Sequence, residues 1–286
     1  MQVHRTASHE RSPALRRRRS RRVRNYEMEQ EGRRTVLKDP GGSMWVTGRH
    51  PVEELLASAT QRARKVLLSD AVPKEVRAGF ERRAKERALP CLTCPRQEWE
   101  RRTGEREGGG IAAEVAEYVY AGMEEWISAL PETARVFLLD GITDPGNLGG
   151  ILRSARGFAF DGVVLPADRS CPVTGAVFRA SAGAAAHVPV VQVTNLARAM
   201  ERLQEAGFWL YAAEGAEGTD LSAFAPAKRT AIVLGSEEKG IRRLARERCD
   251  GAVRIPMAPG AESLNVSVAA GIIAYSIRKS LTSPSG

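Results

Sequence analysis

The alternation of apolar and polar positions is strongest between residues 133 and 281, where short apolar runs alternate with segments of helical periodicity. The apolar runs predict strands at Val136–Leu139, Val163–Leu165, Val188–Val193, Trp209–Ala213, Ala231–Leu234 and Val253–Ile255. The segments between them predict helices at Leu148–Phe158, Val173–Ala182, Leu196–Ala206, Ile241–Arg248 and Leu264–Ser280. Strands separated by helices indicate an α/β domain, assigned to 133–286, with a mostly parallel sheet that helices cover on both faces.

A smaller α/β pattern occupies residues 44–104. Its sequence predicts a helix at Pro51–Ala59, a strand at Val66–Leu68 and a strongly charged helix at Val72–Arg87. Residues 105–132 are predicted to be a linker, in which three glycines at 108–110 form a flexible hinge before an apolar segment. The pattern therefore predicts two domains joined by a connector.

Residues 1–43 lack apolar periodicity and hold 12 Lys/Arg against 5 Asp/Glu, whereas residues 111–286 hold 17 against 19. We expect this basic extension to be disordered when free. A cationic arm suits a polyanionic partner such as RNA. It is equally consistent with a solvated tail or with translated sequence upstream of a true start at Met44, and an organellar presequence is a weaker reading.

Several classes of protein are disfavoured by composition. No apolar run reaches the roughly 18 residues that span a bilayer, so we expect a cytoplasmic protein without membrane contact. The four cysteines are too few and too scattered for a disulfide framework. Cys91 and Cys94 form a CxxC pair without the further ligands that a zinc site needs, and we predict no metal site.

Ligands of a parallel sheet bind beyond the carboxyl ends of its strands, so the loops after Leu139, Leu234 and Ile255 are the candidates for chemistry. The first loop, 140–153, contains neither GxGxxG nor GxxxxGK[ST], which disfavours a dinucleotide site and a nucleotide triphosphatase. It offers Asn147 as a predicted helix N-cap and Arg153, which can bind a phosphate with two N–H groups.

The second and third loops are also rich in polar groups. In the second, Gly235 permits close approach of a ligand to the backbone, and Ser236 and Glu237 supply hydrogen-bonding groups. The third, 255–267, ends in Ser263-Leu264-Asn265 at a predicted helix N-terminus, where backbone N–H groups lack intrahelical partners. Alone, this segment is equally typical of an ordinary capped helix.

Together, in this order and spacing, the three loops resemble the motifs of the SpoU family of the SPOUT superfamily, S-adenosylmethionine-dependent RNA ribose 2′-O-methyltransferases. Asn147 and Arg153 match the Asn-(five residues)-Arg motif, residues 235–237 match Gly-Ser-Glu, and 255–267 match Ile-Pro-Met…Ser-Leu-Asn-Val-Ser. The resemblance covers about residues 46–281. It is closest to the bacterial members that methylate a guanosine of 23S rRNA, by residues 140–153, 193–198 and 239–247.

The resemblance implies a trefoil-knotted α/β domain of the SPOUT type that works as a homodimer, preceded by a small RNA-binding domain similar to ribosomal protein L30e. By motif position it implies that S-adenosylmethionine is bound by Leu234, Gly235, Ile255, Met257 and Leu264. It likewise assigns catalysis to Asn147, Arg153, Glu237, Ser263 and Asn265. The implied partner is RNA, with rRNA favoured.

Two departures from the family pattern leave alternatives open. Glu238 stands where many relatives have glycine, and residues 107–110 replace a His-Gln-Gly pattern, which leaves the exact substrate undecided. A tRNA ribose methyltransferase is the alternative within the family. A non-catalytic RNA-binding protein of ribosome assembly on the same fold is the alternative from another class, and the intact polar positions disfavour it.

Overall fold

The computed structural model describes residues 43–214, 218–260 and 263–282. The predicted basic extension, apart from Ser43, lies outside the described residues. None of the helices within these ranges combines the length and the apolarity that crossing a membrane requires.

The N-terminal unit is built on a four-stranded sheet in the order β1-β4-β2-β3. β4 is antiparallel to both of its neighbours, and β2 is parallel to β3. The strands are β1 (Met44–Thr47), β2 (Ala63–Ser69), β3 (Cys91–Cys94) and β4 (Ile111–Val115). The helices are α1 (Arg49–Ala57), α2 (Lys74–Glu86) and α3 (Arg96–Thr103), of which α1 and α2 match the two predicted helices to within two residues.

The segment 105–132, predicted as a linker, instead supplies a central strand of this sheet. All five residues of β4 are buried, and Ala113 pairs with Val46 on one side and Val66 on the other. The predicted hinge is a tight turn, because a Cβ on Gly110 (φ 76°) would lie 2.8 Å from Ser69 Cβ. The small sheet is therefore incomplete without residues beyond 104. Helix α4 (Met123–Ala129) follows it.

The C-terminal unit contains a seven-stranded sheet in the order β7-β6-β5-β10-β8-β11-β9, and every neighbouring pair is parallel. Its strands are β5 (Ala134–Asp140), β6 (Gly162–Pro166), β7 (Val190–Val193), β8 (Trp209–Ala213), β9 (Thr219–Asp220), β10 (Arg229–Gly235) and β11 (Gly251–Arg254). All six predicted strands are confirmed, and the sheet is parallel, where a mostly parallel one was predicted. The short edge strand β9 was not predicted.

Helices cover both faces of this sheet, as the apolar strands require. In β5, Phe137 and Leu139 face one hydrophobic core, whereas Val136 and Leu138 face the other. The helices are α5 (Pro145–Gly157), α6 (Gly175–Ala180), α7 (Leu196–Glu205), α8 (Arg243–Glu247) and α9 (Val266–Thr282), with a 3₁₀ turn at Ala184–Ala186.

Helices α5 and α9 pack with almost no space between them. A Cβ on Gly150 would lie 2.8 Å from Ser267 Cβ, and one on Gly271 would lie 3.3 Å from Ser154 Oγ. The small residues Ser267 and Gly271 of α9 allow this close packing. This contact brings the loops before the two helices together. The knot implied by the family resemblance stays a prediction.

Candidate active site

The three candidate loops leave the same edge of the large sheet. β5 ends at Asp140, which pairs in register with Gly235 at the end of β10, and β11 ends nearby at Arg254. Because the strands are parallel, their carboxyl ends share one edge. The loop after β5 leads into α5, and the loop after β11 leads into α9.

Asn265 joins all three loops through its side-chain amide. Its Nδ2 donates to Asn147 Oδ1 at 2.8 Å and to Glu237 Oε1 at 2.5 Å. Its Oδ1 accepts from the backbone N–H of Ser267 at 3.0 Å and from Ser267 Oγ at 2.6 Å. The oxygen thus caps α9, which leaves the NH₂ group for the other two loops and fixes the amide's orientation.

Asn147 lies inside helix α5 rather than at its N-cap as predicted. The N-cap is Asp144, whose Oδ1 accepts from the backbone N–H of Asn147 at 2.8 Å, and Pro145 occupies the first helical position. An aspartate before a proline is a strong start signal, so the helix begins earlier than the apolar pattern indicates. The Asn147 side chain is released from capping and bonds to Asn265.

Glu237 lies on a turn that folds back on the end of β10. The backbone N–H of Gly240 donates to Ser236 O at 2.8 Å, and the N–H of Ser236 donates to Gly240 O at 3.2 Å. A Cβ on Gly235 would lie 2.1 Å from the carbonyl carbon of Gly240. The close approach that Gly235 permits is therefore to the protein's own backbone, whereas the sequence interpretation was approach to a ligand.

The end of this turn is held by a buried carboxylate that the sequence analysis did not single out. The Asp140 side chain is 0% exposed and accepts from the Arg242 backbone N–H at 2.8 Å and from Arg242 Nε at 2.6 Å. Arg242 consequently has extended backbone, and α8 begins at Arg243, two residues after its predicted start. A carboxylate at the end of a fully apolar strand is the signal that points to such a partner.

Arg153 and Ser263 are exposed and do not join this cluster directly. Arg153 lies on α5 six residues after Asn147, or about 9 Å along the helix axis. Within the ranges that the structure describes, the Arg153 and Ser263 side chains form no hydrogen bond or ion pair. Because no described residue engages it, the charged guanidinium of Arg153 is available to an anionic ligand.

The predicted cofactor positions follow the ends of β10 and β11. Leu234 is buried in the core, Gly235, Ile255 and Met257 are half-buried, and Leu264 is 36% exposed. They form an apolar border beside the loops that carry Glu237 and Asn265. Among the described residues, the backbone N–H groups of Ile255 and Met257 donate to no backbone carbonyl.

The CxxC pair lies in the N-terminal unit, away from this edge. Cys91 and Cys94 are free on β3, and burial, with a smaller contribution from Glu81, raises the pKa of Cys91 to about 11. Over the described ranges, no group of three or more His, Cys, Asp or Glu side chains is placed to hold a metal ion.

Comparison with known proteins bears on both units. The model of the SpoU rRNA Methylase family matches residues 134–275, and that of the RNA 2′-O ribose methyltransferase substrate-binding domain matches residues 45–121. A Staphylococcus haemolyticus protein, named as a TrmH-family tRNA/rRNA methyltransferase, is 37% identical over 235 residues, covering 81% of this chain and 94% of its own length. The chain belongs to the SpoU family.

Solved structures of SpoU-family proteins share this fold. The Streptomyces viridochromogenes SpoU methyltransferase AviRb, crystallised with S-adenosylmethionine, has a TM-score of 0.73 at 21% identity, covering 91% of this chain and 98% of its own. A TrmH-family protein from Porphyromonas gingivalis has a TM-score of 0.66 at 25% identity, covering 92% and 95%. The predicted SPOUT-type α/β fold with a separate N-terminal unit is confirmed.

Membership of the SpoU family makes this protein an RNA methyltransferase, as the loop motifs predicted. The substrate-binding match runs to residue 121 and so includes β4. Of the five predicted catalytic residues, the structure brings together Asn147, Glu237 and Asn265 by direct hydrogen bonds.

Proposed function

We propose that this protein transfers a methyl group from S-adenosylmethionine to the ribose 2′-hydroxyl of a guanosine in 23S rRNA. The observation that carries the proposal is the double hydrogen bond from Asn265 to Asn147 and Glu237. It joins three polar loops at the sheet edge where parallel α/β sheets bind ligands. Arg153, which is exposed and has no partner among the described residues, lies on the helix that carries Asn147.

The residues present fit S-adenosylmethionine. Ile255, Met257 and Leu264 offer apolar surface to an adenine ring. The backbone N–H groups of Ile255 and Met257, which donate to no described backbone carbonyl, can bind its polar edge. When bound, this cofactor would supply a methyl group carried on a sulfonium. The sulfur would be the leaving group and would need no help from an acid. The protein therefore has mainly to align the ribose and to ease the loss of the hydroxyl proton.

Arg153 is the residue to which we assign the electrostatic part of the reaction. Its guanidinium binds a phosphate next to the target ribose and stabilises negative charge that develops on the 2′-oxygen. It does not itself take the proton, because an arginine keeps its charge at any physiological pH. A phosphate oxygen or a water accepts the proton, while Asn147, Asn265 and Ser263 orient the hydroxyl and Glu237 fixes the loop.

The N-terminal unit is the part to which we assign RNA binding. Residues 44–110 hold 14 Lys/Arg against 10 Asp/Glu, and this unit matches the substrate-binding family model. The closest motif resemblance is to enzymes acting on 23S rRNA, which supports rRNA over tRNA. The target must lie in a loop or single strand, because an A-form helix hides most base edges.

We also propose that the protein works as a homodimer. Val268, Ile272 and Tyr275 lie on one face of α9 and are 49%, 37% and 55% exposed, and Leu264 extends this face. A row of large apolar side chains open to water is typical of a protein interface. A second copy placed here would adjoin Asn265, at the edge of the site.

The test is to incubate the protein with methyl-labelled S-adenosylmethionine and, separately, unmodified 23S rRNA and total tRNA. Label in 23S rRNA supports the proposal, whereas label only in tRNA keeps the reaction and overturns the substrate. Calorimetry with S-adenosylmethionine alone is the parallel measurement. Cofactor binding without transfer to rRNA, tRNA or isolated ribosomal precursor particles would favour the non-catalytic alternative.

A further inference from the structure

The N-terminal unit packs tightly against the helical layer that carries the catalytic residues. A Cβ on Gly175, at the start of α6, would lie 2.1 Å from the carbonyl oxygen of Trp45. A Cβ on Gly183, whose φ of 86° is left-handed, would lie 2.5 Å from Glu54 Cβ. Buried side chains of both units belong to one continuous hydrophobic core. The two units therefore form a packed interface, although the sequence predicted a flexible connection.

Glu54 is the central polar residue of this interface. Its Oε2 accepts from Arg156 Nη1 at 2.7 Å and lies 2.8 Å from His187 Nε2. Burial raises the pKa of Glu54, but the hydrogen bond and charge of Arg156, joined by His187, outweigh it and lower the pKa overall. One carboxylate of α1 thus holds the end of α5 and the segment before β7.

Further side-chain contacts cross the same interface. The buried Ser58 donates from Oγ to Ala186 O at 2.7 Å, next to the Glu54 contact. Arg179 of α6 donates to Thr47 Oγ1 at 3.0 Å and lies 2.9 Å from Glu105 Oε1. These contacts come from both ends of the N-terminal unit, so they restrict rotation as well as separation.

The helix held by Glu54 is the helix that carries the candidate catalytic groups. Arg156 follows Arg153 by three residues, which is less than one turn, and follows Asn147 by nine, which is about 13 Å along the axis. A helix of this length moves as a rigid body. The position of α1 is therefore transmitted to Arg153 through the contact at Arg156.

We propose that Glu54 is a positioning residue that fixes the N-terminal unit against α5 and so sets a fixed span between bound RNA and Arg153. This inference rests on the proposed RNA methyl transfer. In an RNA that contacts both units, the target ribose must lie at this distance from the part of the RNA that the N-terminal unit binds. The choice of target therefore depends on the distance between that part and the methylated nucleotide. An RNA too short to reach the N-terminal unit is not positioned by it, so this distance does not affect its methylation.

Glu53 provides a matched control. It is the neighbouring glutamate on α1, and its carboxylate pairs with Arg49 and Arg83, both within the N-terminal unit. Replacing Glu53 removes a carboxylate of the same kind from the same helix without touching the interface. Glu54→Gln keeps an oxygen acceptor for Arg156. Its amide exchange rates and its kcat should therefore lie between those of wild type and Glu54→Ala.

The first measurement is hydrogen–deuterium exchange of the full chain without RNA. Glu54→Ala should speed amide exchange in residues 153–160 and 184–190, whereas Glu53→Ala should leave these segments unchanged. Equal exchange in wild type and Glu54→Ala would overturn the positioning role, and this readout does not depend on any activity.

The second measurement compares methylation of 23S rRNA with methylation of nested fragments trimmed around the modified nucleotide. On full-length RNA, Glu54→Ala should lower kcat by roughly ten- to a hundredfold with unchanged RNA affinity, because the ribose is misplaced rather than unbound. On the shortest active fragment it should equal wild type. Equal losses on both RNAs, or no loss on either, would overturn the inference, whereas failure of wild type on every RNA would overturn the proposed function instead.

Discussion

Helix α5 carries two arginines whose surroundings differ sharply. Arg156, near its end, is bound by Glu54 of the N-terminal unit. Arg153, less than one turn earlier, is exposed and has no partner among the described residues. Glu54 balances the charge of the bound arginine, which therefore serves to hold structure, whereas the guanidinium of Arg153 is available to an anion. One short helix, α5, therefore connects the N-terminal unit, to which we assign RNA binding, with the sheet edge, to which we assign methyl transfer.

The two ends of α5 differ in the same way. At its start, Asn147 accepts a hydrogen bond from Asn265, which also donates to Glu237, in an exposed cluster. Near its end, the ion pair between Arg156 and Glu54 joins the helix to the N-terminal unit. We therefore expect Asn147 and Arg153 to serve the reaction and Arg156 to hold the helix in place.

The largest effect should come from Arg153→Ala, which removes the unbound arginine. We expect methyl transfer to fall by about 100- to 1,000-fold, the usual loss when one electrostatic stabiliser of a transition state is removed. The melting temperature should not change, because no protein contact is lost. Single-turnover transfer to RNA is the measurement, with Arg156→Ala on a short RNA fragment as the control that should retain activity. Activity of Arg153→Ala close to wild type would remove Arg153 from the mechanism.

The next effect separates the two functions of Asn265. Asn265→Asp keeps the oxygen that caps α9 but replaces the NH₂ donor by an oxygen that faces Glu237. We expect α9 to keep its cap and methyl transfer to fall by about 100-fold, because two carboxylates then face each other between the loops. Asn265→Ala should lose the same activity and, in addition, about 1 kcal/mol of unfolding free energy from the missing cap. Urea unfolding and single-turnover assays measure the two quantities. If Asn265→Asp were fully active, the bridge between loops would have no catalytic value.

A third prediction concerns the buried Asp140. Arg242→Ala should lower the unfolding free energy by about 1–3 kcal/mol, because the carboxylate loses its guanidinium while remaining buried. Activity should also fall, since the turn that carries Glu237 loses its anchor. Arg243→Ala is the matched control, because Arg243 is 87% exposed and, among the described residues, pairs only with Glu247 of its own helix. Chemical denaturation should show a loss for Arg242→Ala and less than about 0.5 kcal/mol for Arg243→Ala.

A smaller effect is expected from a substitution on the exposed apolar face of α9, and it concerns the oligomeric state of the protein. Ile272→Glu places a charge among Val268 and Tyr275, so sedimentation should show a dimer converted to monomer at micromolar concentration. Leu92→Glu, at another exposed apolar residue (44% exposed), should leave the mass unchanged. A wild-type monomer at all accessible concentrations would contradict the homodimer.

The smallest effect is the pH dependence of the Glu54 contact. Because the folded-state pKa of Glu54 lies below 4.5, its stabilisation is complete above that pH and is lost as pH falls through the lowered pKa. Both partners are more than a third exposed, so the difference between wild type and Glu54→Gln at pH 7 should be below about 1 kcal/mol. Urea unfolding at pH 7 and pH 3 should show this difference vanish at the lower pH. A difference that grows on acidification would refute the contact.

The sequence predicts the sheet of the C-terminal unit well because each strand is a compact apolar run between helices. It fails at β4, because apolar residues after three glycines also suit a connector, and only pairing with Val46 and Val66 makes them a central strand. The start of α5 was placed too late because Asp144-Pro145 outweighs the apolar period.

At the candidate site, sequence motifs predict which residues matter but not how they meet. Nothing in spacing shows that Asn265 bonds to both Asn147 and Glu237, which lie 118 and 28 residues away. The Asp140–Arg242 pair is likewise a contact across 102 residues. Such contacts depend on the order of the strands in the sheet, which the local periodicity of the sequence does not specify.

The most direct test of the central claim is mass-spectrometric mapping of 23S rRNA methylated in parallel by wild type and Arg153→Ala. We predict a single 2′-O-methylguanosine from wild type and almost none from Arg153→Ala at equal cofactor binding. Methyl groups on a base, or equal ribose methylation by both proteins, would contradict the account.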